Sequence, residues 1–377
     1  MARWDVVVVG GGVIGLSVAW RAAQHGLRVV VLDAGPERRA SAVAAGMLAP
    51  VSEADPTEPE LGELCRLSAA RWPRFAADLE DASGASLGYR THGTLFVALD
   101  RDQAEALERE HEMRRRLGMN VARLTPSEAR ALEPGLAPAV RAALDIPGDH
   151  SVDPRAVCTA LTVAAERAGV TVLPDAEVIE VASDPHAVRG AVLDTGERVL
   201  GEQTVIAAGA WSALIRGIPP DAHVPLRPIK GQILSLSARG APRPVDRILR
   251  WGPPNPGYLV PRDDGRVVVG ATMEERGFEL APTGLGVYEL LRDAIACAPG
   301  IGDLAVDAVG VGLRPTTPDN CPVIGATAVA GLCYATGHFR HGVLLAPVTA
   351  ELVAAELAGL ELTHSFGLDR FSDPAFA

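Results

Sequence analysis

Asp5-Val-Val-Val-Val-Gly10-Gly-Gly-Val-Ile-Gly15, followed by Val29-Val-Val-Leu-Asp33, decides the fold of this chain. The four valines predict a buried strand, the glycines a tight turn opening a helix, and Val29–Leu32 a second buried strand. Gly10 allows the turn, and Gly12 removes the side chain that would block a pyrophosphate. Gly15 lets the helix lie close on the sheet, so that the partial positive charge of its N-terminus faces the phosphates. Asp33 follows about 20 residues on, where a carboxylate can accept hydrogen bonds from ribose hydroxyls. Glycine turns arise by chance. Here the strand before and the helix and strand after are all present, and the stretch reads as a dinucleotide site.

The rest of the chain sets bounds on that reading. A length of 377 residues implies two domains. A net charge of −12 without a Lys/Arg run argues against a nucleic-acid surface. The five cysteines are scattered and lack CxxC spacing, which suits buried thiols in a reducing compartment. No signal peptide or spanning segment is read, so a cytoplasmic location and no membrane partner are expected.

The small-residue run Ala40–Ala49 lets backbone approach a flat ligand, or else is a tight helix start. Helices are expected at about Leu61–Ala82, Arg101–Leu117, from Pro126, Pro154–Ala168 and about Pro347–Leu357, and a strand at Gly93–Leu99. Strands follow at Val170–Leu173, Ala176–Val181 and Thr204–Trp211, with a hairpin near Asp194–Gly196. From Val224 to about Val311 the texture is strand and turn, with a hairpin at Arg262–Arg266. The expected fold is α/β: a Rossmann-type dinucleotide-binding domain, the FAD-binding domain of the resemblance given next, interleaved with a mainly antiparallel α+β substrate domain. The first comprises 1–85, 146–218 and 315–377, the second 86–145 and 219–314.

Several blocks carry a resemblance: Val7–Gly15, Ala44-Ala-Gly-Met-Leu48, Gly257-Tyr-Leu-Val-Pro-Arg262, Gly270-Ala-Thr-Met273, Gly312-Leu-Arg-Pro315 and Ala335–Pro347. In this order they resemble the D-amino-acid oxidase superfamily of FAD-dependent amine oxidases, most closely its glycine-oxidase branch. The resemblance implies noncovalent FAD and hydride transfer from the substrate α-carbon to flavin N5, with O2 reduced to H2O2. It implies glycine as substrate, with sarcosine or small D-amino acids beside it, and a role in supplying iminoacetate for the thiazole of thiamin. It also implies a homotetramer. A D-amino-acid or sarcosine dehydrogenase passing electrons to a quinone or carrier protein shares these motifs and is the alternative. A non-catalytic dinucleotide-binding regulator, or an RNA-modifying oxidase domain, fits them less well.

By resemblance, FAD contacts fall on Val13, Ile14 and Gly15, on Asp33 and Ala34, and on Ala40 and Ser41. Ala45, Gly46 and Met47 follow near the isoalloxazine, Val178 near the adenine, and the loop His338, Phe339, Arg340, His341, Gly342, Val343 and Leu344 over the pyrimidine. Asp33 and Ala40 depart from the family pattern, which often has Glu and a hydroxyl residue there. Cys321 does not fall on the position of the covalent flavin link found in related sarcosine oxidases.

Such chemistry needs no side-chain acid or base at the α-carbon, since orientation and the cofactor carry it. Arg314 is the expected carboxylate anchor, because guanidinium matches a carboxylate bidentately; the plainer reading is a sheet-edge salt bridge. Tyr258 reads as a second carboxylate contact or as half-buried packing. Arg340 reads as facing substrate or flavin, or as a structural ion pair. Met47 and Met273 read as pocket lining or core filling. Lys230 reads as a strand-end charge, or as a cation near flavin N5.

Overall fold

The computed structural model describes residues 4–240, 242–360 and 364–372. Of the expected domain spans, 1–3, 241, 361–363 and 373–377 lie outside these residues. Strand β1 (Trp4–Val9) and strand β2 (Val29–Leu32) run parallel, from Val6 beside Val29 to Val9 beside Leu32, and helix α1 (Val13–Gln24) joins them. On its other side β1 pairs in parallel with Arg198–Ile206, which in turn lies beside Leu332–Thr336. Thr171–Leu173 extends the sheet beyond β2, again in parallel. An antiparallel strand, Val323–Ala326, closes one edge. The hairpin at 194–196 joins the antiparallel strands Val188–Leu193 and Arg198–Ile206.

The valine run is unbroken because both faces of this sheet are covered. Successive side chains of a strand point to opposite faces. Val6 and Val8 accordingly join a core with Leu16, Trp20, Trp72 and Leu345, while Val7 and Val9 join another with Ile206, Ala191 and Ile215. Gly15 sits where α1 meets β1, and a Cβ there would lie 1.9 Å from the Gly10 carbonyl oxygen. Any side chain at 15 would push the helix off the sheet.

A second, eight-stranded sheet runs in the order Ala305–Thr316, Arg227–Ser237, Arg266–Gly270, Gly257–Pro261, Ile248–Trp251, Thr94–Ala98, Ala142–Ile146 and Ala122–Leu124. It is antiparallel except where Ile248–Trp251 lies parallel to Thr94–Ala98. One face packs Leu234, Leu249, Leu259 and Val269 against a helix, Gly284–Cys297. The other packs Ile233, Ile248, Val260 and Val268 against Val43, Ala45 and Met47 of the first lobe. The functional cleft lies along this second face. Among the described residues, no helix is long and apolar enough to cross a membrane.

Two elements correct the sequence expectation. The strand-and-turn texture of 224–311 contains the helix Gly284–Cys297. Glycines at 284 and 286 argue against a helix start, but the Thr283 side chain accepts a hydrogen bond from the Gly286 amide, and Gly286, Leu290, Ala294 and Cys297 form its buried face. The C-terminal helix begins at Gly342, not Pro347, and carries Pro347 inside it. Proline removes an amide donor and crowds the preceding turn. Around it, the Leu344 carbonyl accepts hydrogen bonds from Ser68 Oγ at 2.6 Å and Trp72 Nε1 at 2.9 Å, both on the helix Pro59–Ser83.

Ser68→Ala leaves part of that buried acceptor capacity unmet. We expect a loss of about 1–3 kcal/mol in urea unfolding with an unchanged m-value. A variant as stable as wild type would show that the packing of the two helices does not need this bond.

Candidate active site

A cleft of about 520 Å³ runs from the Gly10–Ile14 turn to the second sheet. Its first half is lined by Gly10, Gly12, Val13, Ile14, Asp33, Ala34, Ala40, Ser41 and Val178. The α1 N-terminus opens into it without an acidic residue in its first turn, and the cap residue Gly12 supplies no side-chain cap. One amide, Val13 N, donates to Ser41 Oγ at 3.3 Å. A Cβ on Gly12 would meet only Ser41 Oγ, at 3.6 Å, so the space this glycine keeps open belongs to the cleft. Asp33 is buried, accepts from Gly11 N at 3.2 Å and forms a two-point ion pair with Arg39. Free amides at a helix terminus, a buried carboxylate and a glycine gap fit the diphosphate and ribose of FAD.

The second half of the cleft lies over the second sheet, where Arg314 and Tyr258 converge. Arg314 donates to the Thr272 carbonyl at 3.1 Å, its charge acts on the Tyr258 hydroxyl, and no carboxylate among the described residues pairs with it. Both side chains lie down over glycines. A Cβ on Gly231 would come within 2.5 Å of the Arg314 guanidinium, and one on Gly270 within 2.4 Å of the Tyr258 hydroxyl. Burial pushes the Tyr258 hydroxyl above its ordinary pKa, so it is a neutral donor. Met47 lines the cleft half-buried, and Met273 stands at its mouth, 67% exposed.

Glu53, Arg250 and Arg340 also line the cleft, backed by His341 and Glu58 behind them. Arg250 reaches Glu53 at 2.8 Å, Glu53 reaches His341 Nδ1 at 3.4 Å, and Arg340 reaches Glu58 at 2.8 Å. Glu53 keeps about a tenth of its side chain exposed, 11%, and Arg250, His341 and Arg340 hold its carboxyl below the ordinary range against the opposing effect of burial. His338 bonds Thr349 Oγ1 at 2.9 Å, and burial lowers its pKa to about 3 and that of His341 to about 4.

Ala45, Gly46, His338, Phe339, Arg340, Gly342 and Val343 also line the cleft, whereas Gly15, His341 and Leu344 do not. Gly15 is spent on the helix–strand contact. Leu344 sits in the first turn of the C-terminal helix with its carbonyl turned to Ser68, and His341 turns to Glu53. The stretch expected to be a closing loop is therefore a short 3₁₀ turn, Phe339–His341, running into that helix.

Lys230 departs from both of its readings. It is fully buried in mid-strand, and its Nζ donates to the Ala281 carbonyl at 2.6 Å. Strand alternation explains why: Gly231 and Ile233 face the cleft, so Lys230 faces away. Arg250, Glu53 and Gly231 escaped the sequence reading, and Gly270 was read only as part of a motif, not as the floor beneath Tyr258. Arg250 carries no motif around it, and the two glycines matter only through cross-strand neighbours. No cysteine lines the cleft among the described residues, and burial pushes the Cys321 thiol up to about 12.

Comparison with known proteins agrees with this architecture. Residues 5–356 match the model of the DAO family of FAD-dependent oxidoreductases. The chain belongs to that family. It is 35% identical to the glycine oxidase of Bacillus licheniformis over 360 residues, covering 95% of this chain and 94% of the relative. The crystal structure of glycine oxidase from Geobacillus kaustophilus superposes with a TM-score of 0.88 at 34% identity, covering 98% of each chain. The bifunctional protein ThiO/ThiG of Synechocystis is 34% identical over 375 residues; the chain spans about half the length of that relative, 54%. FAD is thus the cofactor of the fold.

The two buried histidines give the site a testable pH dependence. Both are neutral when folded at pH 7, while in the unfolded chain they take up protons below about 6.5. Each therefore withdraws up to about 1.4 kcal/mol of stability per pH unit as pH falls from about 6.5 towards 4. Buried Asp149, raised to about 6, works oppositely in the same window, because the folded state protonates first. His338→Gln, whose amide can still meet Thr349, removes one histidine contribution. The urea midpoint of the variant should fall less steeply than that of wild type between about pH 6.5 and 4.5. Equal slopes would contradict a neutral, buried His338.

Proposed function

We propose that this protein is an FAD-dependent glycine oxidase, converting glycine and O2 to iminoacetate and H2O2. The observation that carries the reading is Arg314: a guanidinium with no acidic partner among the described residues, set beside a neutral tyrosine hydroxyl, at the end of a dinucleotide cleft. Gly10 to Ile14, Asp33, Ala34, Ala40, Ser41, Ala45, Gly46, Met47, Val178 and the His338–Val343 stretch would hold FAD noncovalently. When bound, FAD supplies a two-electron acceptor that passes its electrons to O2.

The protein's own work is binding and orientation. Arg314 offers a bidentate, charge-assisted grip on the substrate carboxylate, and Tyr258 adds a neutral donor. With the carboxylate fixed at two side chains, the methylene of so small a substrate has little freedom to turn away, which is how positioning lowers a barrier. Met47 and Met273 give that end of the cleft an apolar lining. Sarcosine and small D-amino acids differ from glycine by little more than a methyl group, worth only about 1–3 kcal/mol of discrimination, and fit the same reading as poorer or equal substrates. The product chemistry, together with the relatives fused to ThiG, supports a place in supplying iminoacetate for thiamin thiazole. A homotetramer is the assembly we expect.

Oxygen uptake by the FAD-loaded protein on adding glycine tests this, with peroxide matching the oxygen consumed. Arg314→Leu should lower kcat/KM for glycine by about a hundredfold or more, the range for losing a buried charged hydrogen-bond partner. Flavin reduction by glycine without oxygen uptake would make the protein a dehydrogenase. No reaction with glycine, sarcosine or D-alanine would overturn the proposal.

A further inference from the structure

Burying a lysine costs free energy unless its amine finds partners. Lys230, fully buried on the side of its strand away from the cleft, spends its donor on the segment 271–283. That segment joins the strand Arg266–Gly270 to the helix Gly284–Cys297. Ile233 stands opposite Gly270 and Lys230 opposite Glu274, so three steps along one strand are matched by four along the other. The extra residue is a β-bulge, and a shift of one residue exchanges the faces on which side chains lie. Ala271 and Met273 thereby line the cleft, while Thr272 and Glu274 join Gln232 behind the sheet.

Behind the sheet these side chains close on one another. Thr272 Oγ1 accepts from the Gln232 amide at 2.8 Å and donates to Glu274 Oε1 at 2.6 Å. Gln232 Nε2 donates to the same carboxylate oxygen at 2.7 Å and to Thr283 Oγ1 at 2.9 Å. Lys230 holds the segment at both ends. It exchanges two backbone bonds of 2.9 Å with Glu274, and its Nζ donates to the Ala281 carbonyl at 2.6 Å and lies 3.9 Å from Glu274 Oε2. The cleft depends on the first of these ends, because the Thr272 carbonyl accepts from Arg314 Nη1 at 3.1 Å. A long arginine side chain keeps its fork aimed only where a fixed acceptor holds it.

We propose that Lys230 and Glu274 are positioning residues for the substrate anchor: with Gln232 they fix the segment 271–283, and the Thr272 carbonyl then sets the direction in which the Arg314 guanidinium meets a carboxylate. The inference rests on the reading of Arg314 as that anchor. Neither Lys230 nor Glu274 lines the cleft, so both act on the substrate only through Arg314. Their effect on binding must vanish when Arg314 is gone, whereas a purely structural contribution would persist.

The test introduces Lys230→Met, which keeps an unbranched stem and loses the donor, into the wild-type chain and into Arg314→Leu. Glycolate, a carboxylate without an amine, is titrated against the flavin absorbance of the FAD-loaded proteins, and kcat/KM for glycine is read from oxygen uptake. Lys230→Met should weaken glycolate binding and lower kcat/KM for glycine by about tenfold each, the scale of one hydrogen bond. In Arg314→Leu the same change should cost less than about twofold. Glu274→Ala and Glu274→Gln repeat the measurement at a partly exposed position, and decide the matter if Lys230→Met does not fold. Alanine should reproduce the loss. Glutamine, whose carbonyl still accepts from Thr272 and Gln232, should stay within about twofold of wild type. Equal losses in both backgrounds, no loss in either, or a glutamine variant as impaired as alanine would overturn the proposal. If glycine is not oxidised, the oxidase reading fails, and the glycolate titrations still decide whether Lys230 and Glu274 position Arg314. A wild-type protein that binds no glycolate would overturn the anchor and its positioning together.

Discussion

The contact between Gly15 and the Gly10 carbonyl governs the cofactor half of this structure. Because no side chain separates α1 from β1, the helix starts immediately above the strand end and its first amides open into the cleft. The other features of that half are aligned by this one placement. Asp33 ends β2 beside Gly11, and Arg39 fixes its carboxylate. Ser41 reaches Val13 from the small-residue run that follows. A helix displaced by one methyl group would move its amides away from all of these at once.

The substrate half uses the same device for another end. Gly231 and Gly270 remove the side chains over which Arg314 and Tyr258 lie, so a charged group and a ring rest on backbone instead of projecting into solvent. Arg262 then ties the two lobes together. It is buried, and it donates to the Val152 carbonyl at 2.6 Å and to the Ala45 carbonyl, beside the segment that lines the cofactor side. Burial lowers its pKa to about 10, which still leaves it charged at pH 7. A cation held by two carbonyls at the seam fixes the distance between the cofactor wall and the substrate sheet.

Much of this was legible in the sequence, for physical reasons. The valine run, the glycine spacing and Asp33 sit within one short segment, where periodicity and turn chemistry are local. Arg314 and Tyr258 could be singled out because their residue types suit a carboxylate and their motifs are distinctive. What was missed is nonlocal. Arg250 becomes part of the cleft only through its register with Tyr258, and Gly231 only through the arginine of a neighbouring strand. Lys230 was misplaced because a lysine beside a glycine looks like a strand end, while in the protein its ammonium is satisfied by the Ala281 carbonyl. Pro347 marked a helix start by the usual rule, and the donors that let it sit inside a helix come from residues some 270 positions away, Ser68 at 276 and Trp72 at 272.

The central claim is that glycine, held at Arg314 and Tyr258, is close enough to the cofactor to be oxidised. Anaerobic rapid mixing of the FAD-loaded protein with glycine tests this most directly, because it removes oxygen, product release and assembly from the measurement. The account predicts single-turnover bleaching of the flavin absorbance, with a rate that saturates as glycine is raised. A flavin that stays oxidised at saturating glycine, in protein that binds FAD normally, would contradict it.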